Sequence, residues 1–546
     1  MEAAEEFHFS PRPNRASEIH WHPWSKEAFD EARTSGRPIL LSISAVWCHW
    51  CHVMDETTYS HPSVIELINN EYVPVRVDND VRPDINQRYN MGGWPTTAFL
   101  TPSGDILTGA TYLPPDQMAT ALTRVASYYR GNQTEIAARA LEARKRAASG
   151  AARSAGELQP GLVDEILEAV KNAYDPEYGG FGGSPKFPQT DAILLLLEQA
   201  VLRADDDLRR MAVHTLEQMT GGGTYDQVEG GFFRYSTTQD WSVPHFEKML
   251  EDHAGLVQAL ASAGMTAELE KTVGYLDRVL RDPKTGLFAG SQDADEHYYS
   301  MDAEARRSAS PPFVDRRVYT SWNAAMAIAY LEAGLDGEKT LDSLFQRAYR
   351  KGEGMSHTEG VGGQLADQVW SLWAAVRTHR LPIATDLADH LEAAYGDPEL
   401  GGYLDHAAGD ELGRLGDRIK PLHENSVAAM ALIELDVLMG DPSSPYRERA
   451  RRALESVAAL PRSYGLMAAP FARALDRLPH AIKVTTKSPA LAAAARAAHP
   501  YAVIDPDGDE RAVVCVGTIC LAPVSTPDAV KDAIREASQA RAPGAL

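Results

Sequence analysis

The residues best equipped for chemistry in this chain are Cys48 and Cys51, in Val46-Trp-Cys-His-Trp-Cys-His-Val-Met. An apolar stretch precedes them and a helical pattern follows, so the spacing places Cys48 in the opening turn of a helix. Unpaired backbone N–H groups and the helix dipole favour an anion there, which stabilises the Cys48 thiolate and makes it the attacking sulfur. Cys51, one turn later, is positioned to close a disulfide and release a partner. His49 between them favours the thiolate further and makes the pair more oxidising. Cys48, His49, Cys51 and His52 also form a set of soft and borderline metal ligands. Adjacent Cys-His pairs point in different directions from one helix, however, and tetrahedral zinc usually draws on two separate segments. No metal or other cofactor is therefore assigned.

A second concentration of polar groups lies in Tyr225-Asp-Gln-Val-Glu-Gly-Gly-Phe-Phe-Arg-Tyr-Ser and Trp241-Ser-Val-Pro-His-Phe-Glu-Lys-Met-Leu-Glu-Asp-His. Pro244 suits a first helical position. A helix over 244–264 would carry His245, Lys248 and Asp252 on one face, with Phe246, Leu250 and Leu256 supplying apolar surface. Arg234 and Trp241 lead into that face, and Asp226 and Glu247 add carboxylates. Further candidates stand near the starts of expected helices: Asp293 and Asp295 in Ser-Gln-Asp-Ala-Asp, Trp322 and Asn323 in Thr-Ser-Trp-Asn, and Asp367 in Gln-Leu-Ala-Asp. His423 and Glu424 in Lys-Pro-Leu-His-Glu-Asn and Lys186 in Gly-Gly-Ser-Pro-Lys-Phe-Pro complete the group. Each alone reads as a helix cap, a solvated side or a loop residue. Their recurrence at helix ends points to the rim of a sugar-sized pocket.

Three kinds of segment must position these groups. Residues 37–45, 73–78, 97–101 and 107–111 read as strands alternating with helices, an α/β layer. Residues 133–158 are rich in Ala, Glu and Arg and read as an exposed helix running into a linker near Ser154. From Pro160 to Leu478 strand signals nearly vanish and about twelve helical stretches recur. Their loops repeat: Asp175-Pro-Glu-Tyr-Gly-Gly-Phe, Asp282-Pro-Lys-Thr-Gly-Leu-Phe and Asp397-Pro-Glu-Leu-Gly-Gly-Tyr, with Glu229-Gly-Gly-Phe-Phe as a partial copy. Helical hairpins that must bury their apolar faces close into a toroid of six, an (α/α)6 barrel. An open solenoid competes, but usually has shorter and more uniform repeats. Residues 479–546 return to α/β. The resulting division is 1–135, a helical linker at 136–159, the barrel at 160–478, and a small C-terminal unit at 479–546.

Composition narrows the partners. The net charge of −23 repels nucleic acid and anionic membrane surfaces. No apolar run reaches the roughly 18 residues of a membrane span. The acidic start Met1-Glu-Ala-Ala-Glu-Glu lacks the basic-then-apolar pattern of a secretory signal, so a cytoplasmic location is expected. Of the four cysteines, Cys515 and Cys520 are too close to staple domains. They read as reduced core thiols, with a second redox pair as the alternative. Oligomeric state is not legible.

Trp47 before the cysteine pair and Gly92-Gly-Trp-Pro95-Thr-Thr-Ala-Phe-Leu after it resemble thioredoxin. That resemblance implies a thioredoxin-like fold with Pro95 as a cis proline lying against the redox pair. Ser42 stands where thioredoxin has a buried aspartate. Longer motifs carry a wider resemblance: Cys48-His-Trp-Cys-His-Val-Met, Arg82-Pro-Asp-Ile, Gly92-Gly-Trp-Pro, Gly179-Gly-Phe, Pro185-Lys-Phe-Pro, Val243-Pro-His-Phe-Glu-Lys-Met-Leu and Ser291-Gln-Asp-Ala-Asp. On these the chain resembles the spermatogenesis-associated protein 20 family, a thioredoxin-like domain fused to a six-hairpin barrel. The stretch between Ile85 and Gly92 is shorter than that family's, and the segment around His297–Met301 is reduced. The resemblance implies a barrel similar to N-acylglucosamine and cellobiose 2-epimerases and to six-hairpin glycosidases. An epimerase needs two bases flanking a carbon beside a carbonyl, for which His423 and His245 are the candidates. A glycosidase needs two carboxylates, for which Asp226 with Asp252, or Glu247 with Asp293, are available.

Three functions follow. The first is a thiol–disulfide oxidoreductase using Cys48 and Cys51, with Trp47 and Pro95 beside them and a barrel that binds a substrate. The second is a carbohydrate-active enzyme, epimerase or hydrolase, with a regulatory thioredoxin-like module. The third is a non-catalytic binding protein. The partner is correspondingly a protein thiol or disulfide, or a carbohydrate-like small molecule.

Overall fold

The structure, a computed structural model, describes residues 7–148, 154–409 and 411–539. The acidic start at 1–6 and the 149–153 part of the expected linker lie outside the described residues.

In the N-terminal unit, strands β1 (Ile39–Ser44) and β2 (Val73–Asp78) pair in parallel. Strand β3 (Thr96–Leu100) runs antiparallel to β1, and β4 (Ile106–Ala110) antiparallel to β3. The order is β2-β1-β3-β4. Strand β1 is apolar almost throughout because both of its faces are covered. Ile39, Leu41 and Ile43 meet Phe29, Ile85 and Tyr89 on one side. Leu40 meets Met54, Ile68 and Tyr72 on the other. The helices are α1 (Lys26–Ser35), α2 (His49–Glu56), α3 (Pro62–Glu71), α4 (Pro83–Tyr89) and α5 (Pro115–Ala148), the last kinked at Asn132. This is the thioredoxin-like layer, with Cys48 where β1 hands over to α2.

Six helices form a closed inner ring: Thr190–Arg203, Leu250–Ala263, Thr320–Glu332, Leu365–Arg377, Leu422–Met439 and Ala469–His480, each packed on the next and the last on the first. Six more stand outside: Leu162–Ala173, Asp206–Gly221, Thr266–Tyr275, Glu338–Ala348, Leu381–His390 and Tyr446–Glu455. Sequence composition dictates which is which. Leu422–Met439 buries an unbroken run from Asn425 to Leu435, whereas Tyr446–Glu455 buries only Tyr446, Ala450, Ala453 and Leu454. A helix apolar all round must be enclosed, and one with a single stripe must face water. That pairing closes the toroid and excludes the open solenoid.

Two expectations are corrected. Residues 244–249 are not helical. Pro244–His245 pairs with Tyr235–Ser236, Lys248–Met249 pairs with Ser291–Gln292, and the helix starts at Leu250. Cross-strand pairing and a buried Lys248 outweigh the local proline signal, so His245, Lys248 and Asp252 do not share a helical face. In the C-terminal unit, strands Ile482–Thr485, Ala502–Asp505, Val513–Val516 and Ile519–Cys520 form one sheet. Cys515 and Cys520 face each other across its last hairpin as a disulfide, and Cys520 is exposed. They are not reduced core thiols, because the hairpin register sets them side by side at the surface. Among the described residues no helix is long and apolar enough to cross a membrane.

Candidate functional site

Cys48 is the N-cap of α2, and its sulfur accepts a hydrogen bond from the Cys51 N–H at 3.2 Å. Cys48 and Cys51 are joined in a disulfide, and the Trp94–Pro95 peptide bond is cis. The pair is only 4% and 3% exposed. It lies in an apolar cluster with Ala45, Trp47 and Trp94 of its own unit and with Met249 and Trp322 of the barrel. The redox face of the thioredoxin-like unit therefore abuts the barrel rather than bulk solvent.

Charge-assisted bonds rivet this arrangement. Arg88 on α4 meets Asp405 at 2.7 Å and donates to the carbonyls of Arg414 and Asp417. Arg317 meets Asp78 at 2.7 Å. His52 on α2 reaches Asp293 at 3.0 Å, and although burial opposes its charge, that carboxylate holds the imidazole above its ordinary value. His357 bridges both units: Nδ1 donates to Asp367 and Nε2 to the Asp80 carbonyl at 2.7 Å. Burial again lowers its basicity, but Asp367 raises it further, to about 9. Asp293 and Asp367 are thus docking residues. Asp367 also accepts from the Ser321 and Gln364 N–H groups.

Beneath the docked unit lies a cavity of about 1620 Å³, walled by both parts of the chain. Trp47, Asp80 and Trp94 supply the roof, and Arg234, Asp252, Trp322, His423 and Glu424 stand in the barrel wall. Asp252 sits in the first turn of Leu250–Ala263, and its Oδ2 has no hydrogen-bond partner. Burial, reinforced by Glu251 and Glu247 but opposed by Arg234, pushes its carboxyl up to about 7. His423 opens Leu422–Met439 and faces Asp191 at 3.4 Å. Burial disfavours its charge, and Asp191 overrides this to bring it to about 9. Burial raises the Asp80 carboxyl as well. At neutral pH the wall therefore holds a protonated imidazole and a carboxyl poised between its two states, a combination suited to general acid–base chemistry.

The remaining candidates serve the scaffold. Lys248 is fully buried, bonded to Asp226 at 2.8 Å and to the Gly230 carbonyl. Lys186 holds Asp175 at 2.7 Å, and Lys420 holds Asp397 at 2.7 Å. In each loop the aspartate's other oxygen caps backbone N–H groups two and three residues on. The loops at Asp175, Asp226 and Asp397 are thus pinned by buried lysines, whereas Asp282 accepts the Lys284 backbone N–H instead. A second repeat was hidden in the sequence. The fourth residue of four inner helices, His253, Asn323, Gln368 or Asn425, takes a backbone N–H from the preceding loop, at Phe232, Phe288, Met355 or Tyr403. Asn323 is therefore a clamp. Trp241 is fully buried and donates to the Tyr178 carbonyl. His245 pairs with Glu247 at 2.7 Å outside the cavity wall, so it does not flank a ligand opposite His423. Asp295 caps the short helix Glu296–Tyr299. Asp80, Asp191, Glu251 and His357 were missed, because their neighbours come from distant parts of the chain.

Residues 12–147 match the family model Thioredox_DsbH, described as a protein of unknown function, DUF255. Spermatogenesis-associated protein 20 of Rattus norvegicus is 33% identical over 306 residues, covering 51% of this chain and 39% of that protein. The Homo sapiens protein matches to the same extent. The matched stretch thus spans well under half the length of these curated relatives. Thiol:disulfide interchange protein DsbD of Pseudomonas fluorescens is 31% identical over 80 residues, 14% of each chain. Among solved structures, cellobiose 2-epimerase from Spirochaeta thermophila has a TM-score of 0.43 at 19% identity, covering 54% of this chain and 81% of its own. A DsbH oxidoreductase has a TM-score of 0.19 at 18% identity, covering 23% of this chain and 95% of its own. Over the matched stretch the chain is similar to spermatogenesis-associated protein 20, and its N-terminal unit is thioredoxin-like, matching the DUF255 model over residues 12–147.

Proposed function

We propose that the chamber beneath the thioredoxin-like unit is the working site, and that it moves a proton on a small, polar, sugar-sized molecule. The observation that carries this reading is the cavity of about 1620 Å³ into which Asp252 and His423 face. A carboxyl near 7 and an imidazole near 9 provide a base and an acid at one pH. Asp252 takes the role for which the epimerase resemblance had made His245 a candidate. The thioredoxin-like unit roofs one side of the chamber. The test is incubation of the full chain in D2O with reducing mono- and disaccharides, uronic acids and sugar phosphates included. Deuterium at the carbon beside the carbonyl is expected, with loss in Asp252→Asn and in His423→Gln. Absence of exchange with every sugar, or exchange unaffected by both substitutions, overturns the reading.

A second reading, thiol–disulfide exchange, is favoured by the bonded Cys48–Cys51 pair at the N-terminus of α2. An external dithiol attacks Cys48, displacing the Cys51 thiolate. Its second thiol then resolves the mixed disulfide, leaving two chain thiols and one donor disulfide, with two electrons and two protons transferred. At 4% exposure Cys48 meets a protein donor only after the roof lifts. A working pair cycles somewhere between about −120 and −300 mV. A pair outside that window, or activity retained in Cys48→Ser, rules this reading out. The expected cytoplasmic location suits either reading.

A further inference from the structure

Among the cations that wall the chamber, Arg234 differs from its neighbours. Arg88 is held by Asp405, Arg473 by Glu198 and Asp191, Lys420 by Asp397, His357 by Asp367 and His423 by Asp191. The Arg234 guanidinium has no hydrogen bond or ion pair to any described residue. It is held by rings alone: its central carbon lies 4.5 Å from the Trp47 ring and 4.9 Å from the Trp94 ring, with Tyr235 at 6.0 Å. Five N–H donors in a rigid planar fork are therefore fixed in place at the cavity wall with none committed to protein. Ring stacking removes the rotamer freedom that binding would otherwise cost, and a guanidinium so held matches the two oxygens of a carboxylate or phosphate. Its short-range surroundings are aromatic, so a ligand anion would not compete with a resident carboxylate. Asp252 and Glu251, the cavity acids that feel the Arg234 charge, both have raised carboxyls, which lessens their opposition to an anion.

We infer that Arg234 is the anchor for an oxyanion, and that the chamber's ligand is a small polar molecule carrying a carboxylate or a phosphate rather than a neutral sugar. This rests on the chamber being the working site, and it adds the class of molecule that enters. The two tryptophans that grip Arg234 directly precede Cys48 and Pro95, so the bound anion would sit against the redox face of the roof.

The full chain is titrated at pH 7 with glucose, glucuronate and glucose 6-phosphate, followed by tryptophan fluorescence and by the melting temperature. Glucuronate, glucose 6-phosphate or both should bind at least tenfold more tightly than glucose, and the better of the two identifies the oxyanion. Arg234→Gln should lose at least tenfold in affinity for that anion, and Arg234→Lys should recover part of it. Should Arg234→Gln loosen the roof, Arg234→Lys keeps the inference testable, because it retains the charge without the fork and should bind the anion more weakly than the parent chain, whereas unchanged affinity in it would count against the anchor. Glucose binding as tightly as both anions, or anion binding unchanged in Arg234→Gln, overturns the inference while leaving the chamber reading to the deuterium experiment. No binding of either anion up to 10 mM overturns it as well.

Discussion

His357 offers the sharpest test of how the two units are joined. It is buried, with Nδ1 on Asp367 and Nε2 on the Asp80 carbonyl at 2.7 Å, so it donates at both nitrogens only when protonated. Its imidazole rises from the ordinary 6.5 to about 9 in the folded chain. That displacement corresponds to about 3 kcal/mol of stabilisation. Because the folded value lies above the unfolded one, the contribution is complete below about pH 6.5 and is lost as pH climbs through about 9. His357→Gln keeps one donor but no charge, and leaves either Asp367 or the Asp80 carbonyl short of a partner. Urea unfolding of the parent chain and of His357→Gln, each followed by the fluorescence of the tryptophans around the redox pair, measures the difference. At pH 6 the substitution should cost about 3 kcal/mol or somewhat more, since an orphaned buried acceptor adds its own penalty. At pH 9.5 the neutral imidazole of the parent chain also donates at only one nitrogen, so the cost should fall to within about 1 kcal/mol of zero. A cost that stays constant from pH 6 to 9.5 would show that the bridge is not ionic and would refute the reasoning.

The loop pins should differ in weight. Lys186→Met leaves Asp175 with Gln239 and backbone donors, whereas Lys248→Met leaves Asp226 still paired with Arg306 at 2.7 Å. Breaking the first buried pair is expected to cost about 3–5 kcal/mol and the second clearly less, read as shifts in thermal midpoint. Asn425→Ala removes both bonds to the Tyr403 backbone and should cost about 1–3 kcal/mol. Asn323→Ala should match it, because it clamps Phe288 in the same way. Cys515→Ser should raise amide hydrogen exchange only around 513–521, and leave the barrel's melting unchanged, because its hairpin lies at the surface of a separate sheet.

The sequence made the redox pair legible because its parts are local: a strand, a cap, two cysteines one turn apart, and a proline loop. The barrel was legible for a related reason. Repeated Asp-Pro loops and uninterrupted apolar helices report burial directly, and Leu422–Met439 against Tyr446–Glu455 illustrates the contrast. The pocket was legible only in part. Arg234, Asp252, Trp322, His423 and Glu424 do reach it, while Asp226 and Lys248, equally polar in sequence, are spent on each other. Nothing local separates a lysine that pins a loop from one that meets a ligand, and the separation between each loop aspartate and its lysine is irregular. Asp80 and His357 are polar residues in unremarked loops until the fold sets one against the other, and His52 acquires a partner only when Asp293 arrives from the barrel.

The mode of docking also bears on which chemistry the pair can do. The apolar contact over the cysteines is small, essentially Met249 and Trp322 against Trp47, Trp94 and the sulfurs. Around it stand buried contacts that depend on charge: Arg88 with Asp405, His52 with Asp293, and His357 with Asp367. The interface thus combines apolar contact, including Leu412 and Leu415 packed into the N-terminal core, with charge pairs whose worth depends on every partner staying in place. Losing one partner strands the other in low dielectric, so separation should be abrupt rather than gradual. Trp47 and Trp94 face the sulfurs and also hold Arg234. Any event that lifts the roof therefore uncovers Cys48 and dismantles the guanidinium's seat together. On the two proposed readings, exchange at the sulfurs and occupancy of the chamber would compete for one arrangement of the same two tryptophans, which is reason to assay each in the presence of the other.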